Sequence, residues 1–135
     1  MSGPFAAMHN GASGVSVSQR WIDTLSHNIA NLNTYTSTDE EPFRARFVVF
    51  QENGGGTDPR GVQLRSIVRA EGEAPVVFDP EHPLADEDGI VQGPLVDLSG
   101  QMTDLIIASR HFQANTRVIT AAREAYESAL SIGRR

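Results

Sequence analysis

Apolar side chains recur near the end of the chain in steps that alternate between four and three residues. The series runs through Leu98, Met102, Leu105, Ser109, Phe112, Thr116, Ile119, Arg123, Tyr126, Leu130 and Gly133. Most members are apolar, and this spacing predicts a helix with a coiled-coil-like seam. Asp97 is a suitable N-cap and Gly133 a suitable terminator. At 1.5 Å per residue the helix would extend roughly 50 Å, which is too long for one compact domain of this size.

The first part of the chain has the same rhythm in a weaker form. Its series is Phe5, Met8, Ala12, Val15, Gln19, Ile22, Ser26 and Ile29, with Leu25 and Leu32 beside it. Gly11 and Gly14 interrupt the pattern, and each costs roughly 1 kcal/mol relative to Ala in a helix. We therefore expect a frayed or partner-dependent start and a firmer helix over about 15–32.

The middle of the chain has strand-like periodicity instead. "RARFVVFQ" (44–51) and "VQLRSIVRA" (62–70) are β-rich, and "NGGGTDPRG" (53–61) between them reads as a turn. A short segment, "APVVFD" (74–79), precedes a proline-rich stretch at 80–89. The predicted fold is mainly α with a small β region. It divides into an N-terminal helix (1–34), a central β-rich insert with an extended arm (35–96) and a C-terminal helix (97–135).

The two terminal helices have matching apolar stripes, so we expect them to pack together. The insert is long enough for either a parallel or an antiparallel pair. Each stripe is also wider than one partner helix can cover. A single copy would therefore expose part of it, and exposed stripes of this kind favour association.

Charge separates the ends from the middle. The net charge is −6, yet residues 35–97 carry −8 and the two ends are nearly neutral. An acidic chain argues against a nucleic-acid-binding surface. The chain has no cysteine, which excludes disulfides and thiolate sites. No apolar stretch reaches 18 residues, and the first residues lack a basic and then apolar leader, so we expect neither membrane insertion nor a cleaved signal peptide.

No pattern of residues indicates catalysis, a cofactor or a metal site. The four histidines lie on separate segments, and there is no G-x-S-x-G elbow, phosphate loop or H-E-x-x-H motif. "DEDG" (86–89) resembles part of a calcium loop, but Val91 stands where that loop needs glycine. We interpret it as an acidic turn in which Gly89 supplies a positive φ. The chain is not expected to be an enzyme.

Three asparagines cluster where the first helix should end, at Asn28, Asn31 and Asn33. They could act locally by capping and unwinding the helix, because Asn tolerates the left-handed conformation. Alternatively, Asn28 and Asn31 share a helix face and could fix the register of a helix–helix contact, as a buried Asn does in coiled coils. The spacing alone leaves both interpretations open.

The stretch "NIANLNT" (28–34) closely resembles a signature of bacterial flagellar axial proteins, the rod, hook and hook-associated subunits. Further blocks resemble the FlgC family of proximal rod proteins in order and spacing: "EPFRARFVVFQ" (41–51), "HPLADEDGIVQGPLVD" (82–97), "ASRHFQANTRVITAAREA" (108–125) and "ALSIG" (129–133). The chain departs from the family pattern at Ile90, where Tyr is more common, and at Leu95, where Asn is common.

The resemblance implies paired terminal helices that pack with those of neighbouring subunits into a helical tube. That tube would be the periplasm-spanning rod of the basal body, which transmits torque and encloses the export channel. The implied partners are copies of the chain, other rod proteins, base-of-rod adaptor and ring proteins, and the flagellar type III export apparatus. Export by that apparatus would explain the missing signal peptide.

The residues expected at subunit contacts are the seam residues and nearby amides. They are Ile22, Leu25, Asn28, Ile29, Asn31, Leu98, Met102, Leu105, Phe112, Asn115, Ile119, Tyr126 and Leu130. One alternative is a soluble coiled-coil adaptor or export chaperone that does not polymerise. A small hydrolase is another, and it would need a convergent polar pocket.

Overall fold

A computed structural model of the 135-residue chain describes residues 3–54 and 60–133. The elements follow in the order α1 (Pro4–Ala30), β1 (Arg46–Glu52), β2 (Val62–Arg69), β3 (Val76–Phe78), β4 (Ile90–Gln92) and α2 (Leu98–Ile132). The prediction of a mainly helical chain with a small β region is confirmed.

Helix α2 has the bounds that its capping residues predicted. The Asp97 carboxylate accepts hydrogen bonds from the backbone N–H groups of Ser99 and Gly100, both at 3.1 Å. These bonds satisfy amides that the first turn of a helix leaves without an internal partner. At the other end, the N–H of Gly133 donates to the carbonyl of Ala129 at 3.3 Å. Asp97 therefore caps the start of the 35-residue helix, whereas Gly133 closes it with an ordinary helical bond and a right-handed conformation, φ −72°.

Helix α1 is continuous from Pro4 and passes through both Gly11 and Gly14. The boundary expected near residue 15 is therefore not found. Pro4 suits the first helical turn because its missing N–H would have no partner there. The helix ends at Ala30, two residues before the predicted end at Leu32, where the N–H of Asn31 turns back to the carbonyl of Asn28 at 3.1 Å.

The two helices pack against each other in antiparallel orientation. The ring of Phe5 lies 5.0 Å from that of Tyr126, near the start of α1 and the end of α2. At the opposite end of the pair, Asn28 donates a hydrogen bond to Gln101. Residue numbers thus rise along one helix as they fall along the other, which decides between the two orientations that the sequence left open.

The insert forms two small antiparallel sheets. Strands β1 and β2 make a hairpin in which Val49 pairs with Ser66 and Phe50 with Leu64, so Arg65 is the extra residue of a bulge. Residues 55–59 of the predicted turn lie outside the described residues. Strand β3 pairs with β4, which follows the segment that was predicted only as an extended arm. A three-residue strand such as β4 has too few positions to show an alternating pattern.

Candidate assembly interface

The face of α2 that is buried against the rest of the chain combines small and amide residues with larger apolar ones. Its members are Gln101, Leu105, Ala108, Phe112, Asn115, Ile119, Ala122 and Tyr126. Gln101, Ala108 and Ala122 are buried, and the other five are half-buried. The steps between successive members alternate between four and three, as expected for one face of a helix.

Every second layer of the predicted seam is displaced by one residue. Leu105, Phe112, Ile119 and Tyr126 lie on the observed face, as predicted. The layers between them are formed by Gln101, Ala108, Asn115 and Ala122 rather than by Met102, Ser109, Thr116 and Arg123. The prediction was wrong here because it favoured the apolar Met102 over the amide Gln101 and did not separate Ala108 from its neighbour Ser109. Small residues in these layers allow the helix backbones to approach closely.

Two glycines of α1 show how close this approach is. A Cβ atom added to Gly14 would lie only 2.5–2.7 Å from the side-chain amide atoms of Asn115. A Cβ atom on Gly11 would lie 2.8 Å from Cγ1 of Ile119. Real Cβ contacts are not this short, so a larger residue fits only if the Asn115 and Ile119 side chains or the helices move. The helix-propensity cost of both glycines therefore has a packing cause.

Asn28 links three elements of the same chain. It is fully buried, and its Nδ2 donates to the backbone carbonyl of Arg46 at 2.8 Å and to Oε1 of Gln101 at 2.6 Å. Its Oδ1 accepts from the N–H of Arg46 at 2.8 Å. The amide thus bonds the backbone of β1 and a side chain of α2 at the same time. Such a network fixes how the hairpin and both helices sit together, because breaking any bond leaves a buried polar group without a partner.

The neighbouring asparagines act differently. Asn31 is half-buried, its Nδ2 donates to the carbonyl of His27 at 2.8 Å, and its Oδ1 accepts from the hydroxyl of Thr34 at 3.1 Å. Asn33 is exposed. The capping interpretation therefore fits Asn31, whereas the cross-element interpretation fits Asn28 within one chain. The signature contains both kinds of asparagine, and sequence spacing could not distinguish them.

A second surface of α2 carries large apolar side chains that the described residues leave about half-exposed. Leu98, Met102 and Ile106 follow one another at four-residue steps and are 46%, 52% and 57% exposed. We call these three residues the outer flank. Leu130 is exposed near the far end of the helix. The predicted subunit contacts include Leu98 and Met102 but not Ile106.

The predicted interface residues on α1 are more buried than the outer flank. Leu25 is buried within the chain, and Ile22 and Ile29 on α1 are half-buried. Leu25 and Asn28 already make intrachain contacts over their whole surface. The contact of the predicted residues with other subunits stays a prediction.

Known proteins resemble this chain along most of its length. Residues 87–132 match the family model described as "Flagellar basal body rod FlgEFG protein C-terminal". The chain is 32% identical over 122 residues to the flagellar basal-body rod protein FlgC of Salmonella typhimurium, an alignment that covers 90% of this chain and 91% of the relative. The same protein of Escherichia coli O6:H1 is 35% identical over 117 residues, covering 86% and 87%. The chain belongs to the FlgC family of flagellar basal-body rod proteins.

A more distant FlgC family member supports the same conclusion. The FlgC protein of Borreliella burgdorferi is 30% identical over 151 aligned residues, covering 96% of this chain and 97% of the relative. The region that matches the family model spans most of the acidic turn, β4 and all of α2. The outer flank and the buried face of α2 both fall within it.

The acidic turn of this FlgC family chain is stabilised by its own backbone. One Asp86 carboxylate oxygen accepts from the N–H groups of Ile90 at 2.8 Å and Asp88 at 3.0 Å, and the other accepts from the Thr38 hydroxyl at 3.1 Å. The bond from Ile90 is the main cause that lowers the pKa of Asp86. Gly89 has φ +74°, which confirms the interpretation as a turn with a positive-φ glycine. Within residues 3–54 and 60–133, no group of three acidic or histidine side chains is arranged to hold a metal ion.

A cleft of about 590 Å³ lies between the hairpin and the two helices. Trp21 forms one wall, with its ring 6.0 Å from Phe50 and 6.2 Å from His111. The hydroxyls of Ser13 and Ser18 also line the cleft, but they donate to the backbone carbonyls of Asn10 and Gly14. Neither hydroxyl bonds to His111, so the cleft does not present a serine–histidine pair.

Neither described helix is apolar over enough of its length to span a membrane.

Proposed function

We propose that this chain is a structural subunit of the flagellar rod that polymerises through its terminal helices. Copies of the chain and other rod proteins would bury the outer flank and build a periplasm-spanning shaft. That shaft transmits torque and encloses the export channel. The observation that supports this proposal is the exposure of Leu98, Met102 and Ile106 after α1 has packed on α2.

A neighbouring subunit that covers the outer flank would lower the free energy by removing apolar surface from water. Burying a large apolar side chain completely is worth roughly 1.5–3 kcal/mol, and these three are about half-exposed. Each copy would contribute the same contact, so the gain repeats at every subunit. A contiguous apolar strip that stays exposed on a free protein favours association with a partner surface.

The internal helix contact makes the flank a stiff ridge. Asn28 ties α1 to α2 and to β1, and the close approach at Gly11 and Gly14 leaves little room for the helices to slide. Close-packed protein interiors transmit displacement because they have low compressibility. A force applied to one end of the pair would therefore be passed to the neighbour that covers the flank.

The surroundings of the rod follow from family membership and the charge distribution. The acidic insert would lie towards the outside of the tube, where water solvates it and where ring proteins and other rod layers can contact it. The base-of-rod adaptor would contact the end of the assembly. Passage through the flagellar type III export apparatus, without a cleaved signal peptide, would deliver the subunit.

The test places a charge on the flank of an otherwise folded chain. Met102→Asp should abolish motility and remove the rod from isolated basal bodies, because a carboxylate cannot be buried there without a partner. The matched control is Thr103→Asp, since Thr103 is also exposed and its hydroxyl bonds only the carbonyl of Ser99 in the same helix. Both purified variants should keep the circular dichroism of the native chain.

Normal motility of the Met102→Asp strain would contradict the proposal. So would a purified native chain that binds an export substrate tightly while staying absent from basal bodies. That second result would favour the soluble adaptor or chaperone.

A further inference from the structure

The two faces of the β1–β2 hairpin border surfaces of opposite charge. We propose that the arginine face of one copy docks into an acidic groove on the other face of a second copy, head to tail. This inference rests on the proposed function, because it supplies a contact between copies of the chain within the rod. It concerns the insert, whereas the flank contact concerns α2.

Three arginines share one side of the hairpin. Arg46 on β1 lies opposite Arg69 on β2, so their side chains are on the same face, and Arg44 precedes Arg46 by two residues. We call Arg44, Arg46 and Arg69 the arginine patch. Glu41 is the carboxylate beside it, 3.6 Å from Nε of Arg44 and 3.8 Å from Nη1 of Arg69. One exposed carboxylate thus pairs with two of the three guanidinium groups.

The patch is unfavourable for an isolated chain. Like charges directly opposite each other on a hairpin are destabilising. Within the part of the chain that the structure describes, the guanidinium of Arg46 has no ion-pair partner. Asn28 holds the backbone of Arg46 on both its N–H and its carbonyl, so this side chain projects from a fixed point. A rigid surplus of positive charge on an acidic chain is suited to an acidic partner surface.

The other face of the same hairpin borders a groove of about 530 Å³. Phe47 and Leu95 contribute apolar lining, and Glu73, Asp97 and Asp104 supply three carboxylates. We call this the acidic groove. Among the described residues, Glu73 and Asp104 form no ion pair. Long arginine side chains suit such a place, because their stems cover apolar surface while their guanidinium groups meet the carboxylates.

The arrangement of the two surfaces determines the kind of contact. Phe47 lies next to Arg46 in β1, and neighbouring residues of a strand point to opposite faces. One copy therefore presents the patch in one direction and the groove in the other. A contact between unlike surfaces of identical subunits is heterologous, and it generates an open helical array when the rotation does not close. This is the geometry that a rod requires.

Cysteine cross-linking tests the contact directly, because the native chain has no cysteine. Ile67→Cys marks the arginine face, since Ile67 is exposed and pairs with Val48, two residues after Arg46. Ala70→Cys marks the groove, which Ala70 lines. The two variant chains are produced together, and isolated basal bodies are treated with a short bis-maleimide. We expect a cross-linked dimer only when both variants are present. A dimer from Ile67→Cys chains alone would show face-to-face contact and would overturn the proposal.

Charge reversal gives an independent result. Arg46→Glu with Arg69→Glu should lower the cross-linked fraction by about tenfold or more, because like charges across an interface are strongly disfavoured. Adding Glu73→Arg and Asp104→Arg to the same chain should restore it. Arg44 and Asp97 are kept, since Arg44 bonds the carbonyls of Ala70 and Gly72 and Asp97 caps α2. The control with the same change in net charge is Arg20→Glu with Arg65→Glu.

The possible failures of the two proposals are distinguishable. Rods that assemble normally without the cross-link would overturn the docking contact and leave the rod function intact. Failure to recover the cross-link in the fourfold variant, whose basal bodies still contain the chain, would also overturn it. An effect of the Met102→Asp variant on rods bears on the rod function alone, because Met102 does not line the groove.

Discussion

The two sides of helix α2 differ in the side chains they carry. The side that contacts the rest of the chain is built partly from Gln101, Ala108 and Ala122, whereas the outer flank carries Leu98, Met102 and Ile106. A self-sufficient globular domain buries its largest apolar residues first. Here small side chains and amides bring the helices into register within one subunit. Large apolar groups lie on both sides, but those of the outer flank stay about half-exposed in the single chain.

The largest expected effect comes from the buried amide of the inner side. Asn28→Leu removes three hydrogen bonds, which leaves Oε1 of the buried Gln101 without this partner and the partly buried backbone N–H and carbonyl of Arg46 without theirs. Each such group costs about 1–3 kcal/mol, so we expect the free energy of unfolding to fall by about 3 kcal/mol. Urea denaturation followed by circular dichroism measures it. Asn31→Leu is the control, and an equal loss for both variants would contradict the division of roles between the two asparagines.

The next prediction compares adding a large side chain to the buried face of α2 with removing one from the outer flank. Ala108 is completely buried, so Ala108→Leu adds a large side chain to a position without free space. The overpacking should lower the free energy of unfolding by about 1–3 kcal/mol. Ile106→Ala removes one from the outer flank and should change the stability of the isolated chain by less than about 0.5 kcal/mol. Both values come from the same denaturation experiment. If Ile106→Ala proves the more damaging to the free chain, the flank is not an outer surface.

A smaller effect is expected at the helix crossing. Gly14→Ala improves helix propensity by about 1 kcal/mol but places its Cβ against Asn115, so we expect a net loss of about 1 kcal/mol. Adding Asn115→Ala should remove the clash and turn the glycine change into a gain. The double-mutant cycle in urea measures this coupling. Ser16→Ala, at an exposed position of α1, is the control. Additive effects of the two changes would show that the helices are not in close contact there.

The smallest effect concerns the acidic turn, which belongs to neither side of α2. Hydrogen bonds to its charged form, chiefly from Ile90, hold the pKa of Asp86 below its ordinary value. The resulting stability is present above the unfolded pKa of about 3.9 and is lost as the pH falls through the folded pKa. NMR titration of the carboxyl carbon should show the lowered pKa. Asp86→Asn should lose this part of the acid sensitivity, and a native pKa at or above the ordinary value would refute the account.

The sequence was most informative where a local signal has one structural meaning. Asp97 and Gly133 gave the bounds of α2, because caps act on the nearest turn. The β-rich segments gave both hairpin strands. Strand β4 was missed, since its pairing with β3 depends on a partner distant in sequence rather than on its own three residues.

The buried face of α2 could be predicted only in part from the sequence. A heptad pattern fixes positions such as Leu105 and Phe112 but cannot show which residues complete the layers between them, because pairs such as Ala108 and Ser109 or Asn115 and Thr116 are small or uncharged in both choices. The decisive residues were Gly14 and Asn115, and glycine was treated only as a helix-weakening residue. A glycine that recurs inside an apolar stripe is a signal for close approach, and it could have placed Asn115 at the contact. The partner of Asn28 on β1 had no sequence signal.

The side chain of Asn28 also has a consequence for solubility. Its amide occupies the outward backbone groups of Arg46, where a foreign strand would otherwise add to the hairpin. Unprotected strand borders are templates for sheet extension and fibril growth. The Asn28 amide thus blocks one route to amyloid-like stacking at this end of the hairpin.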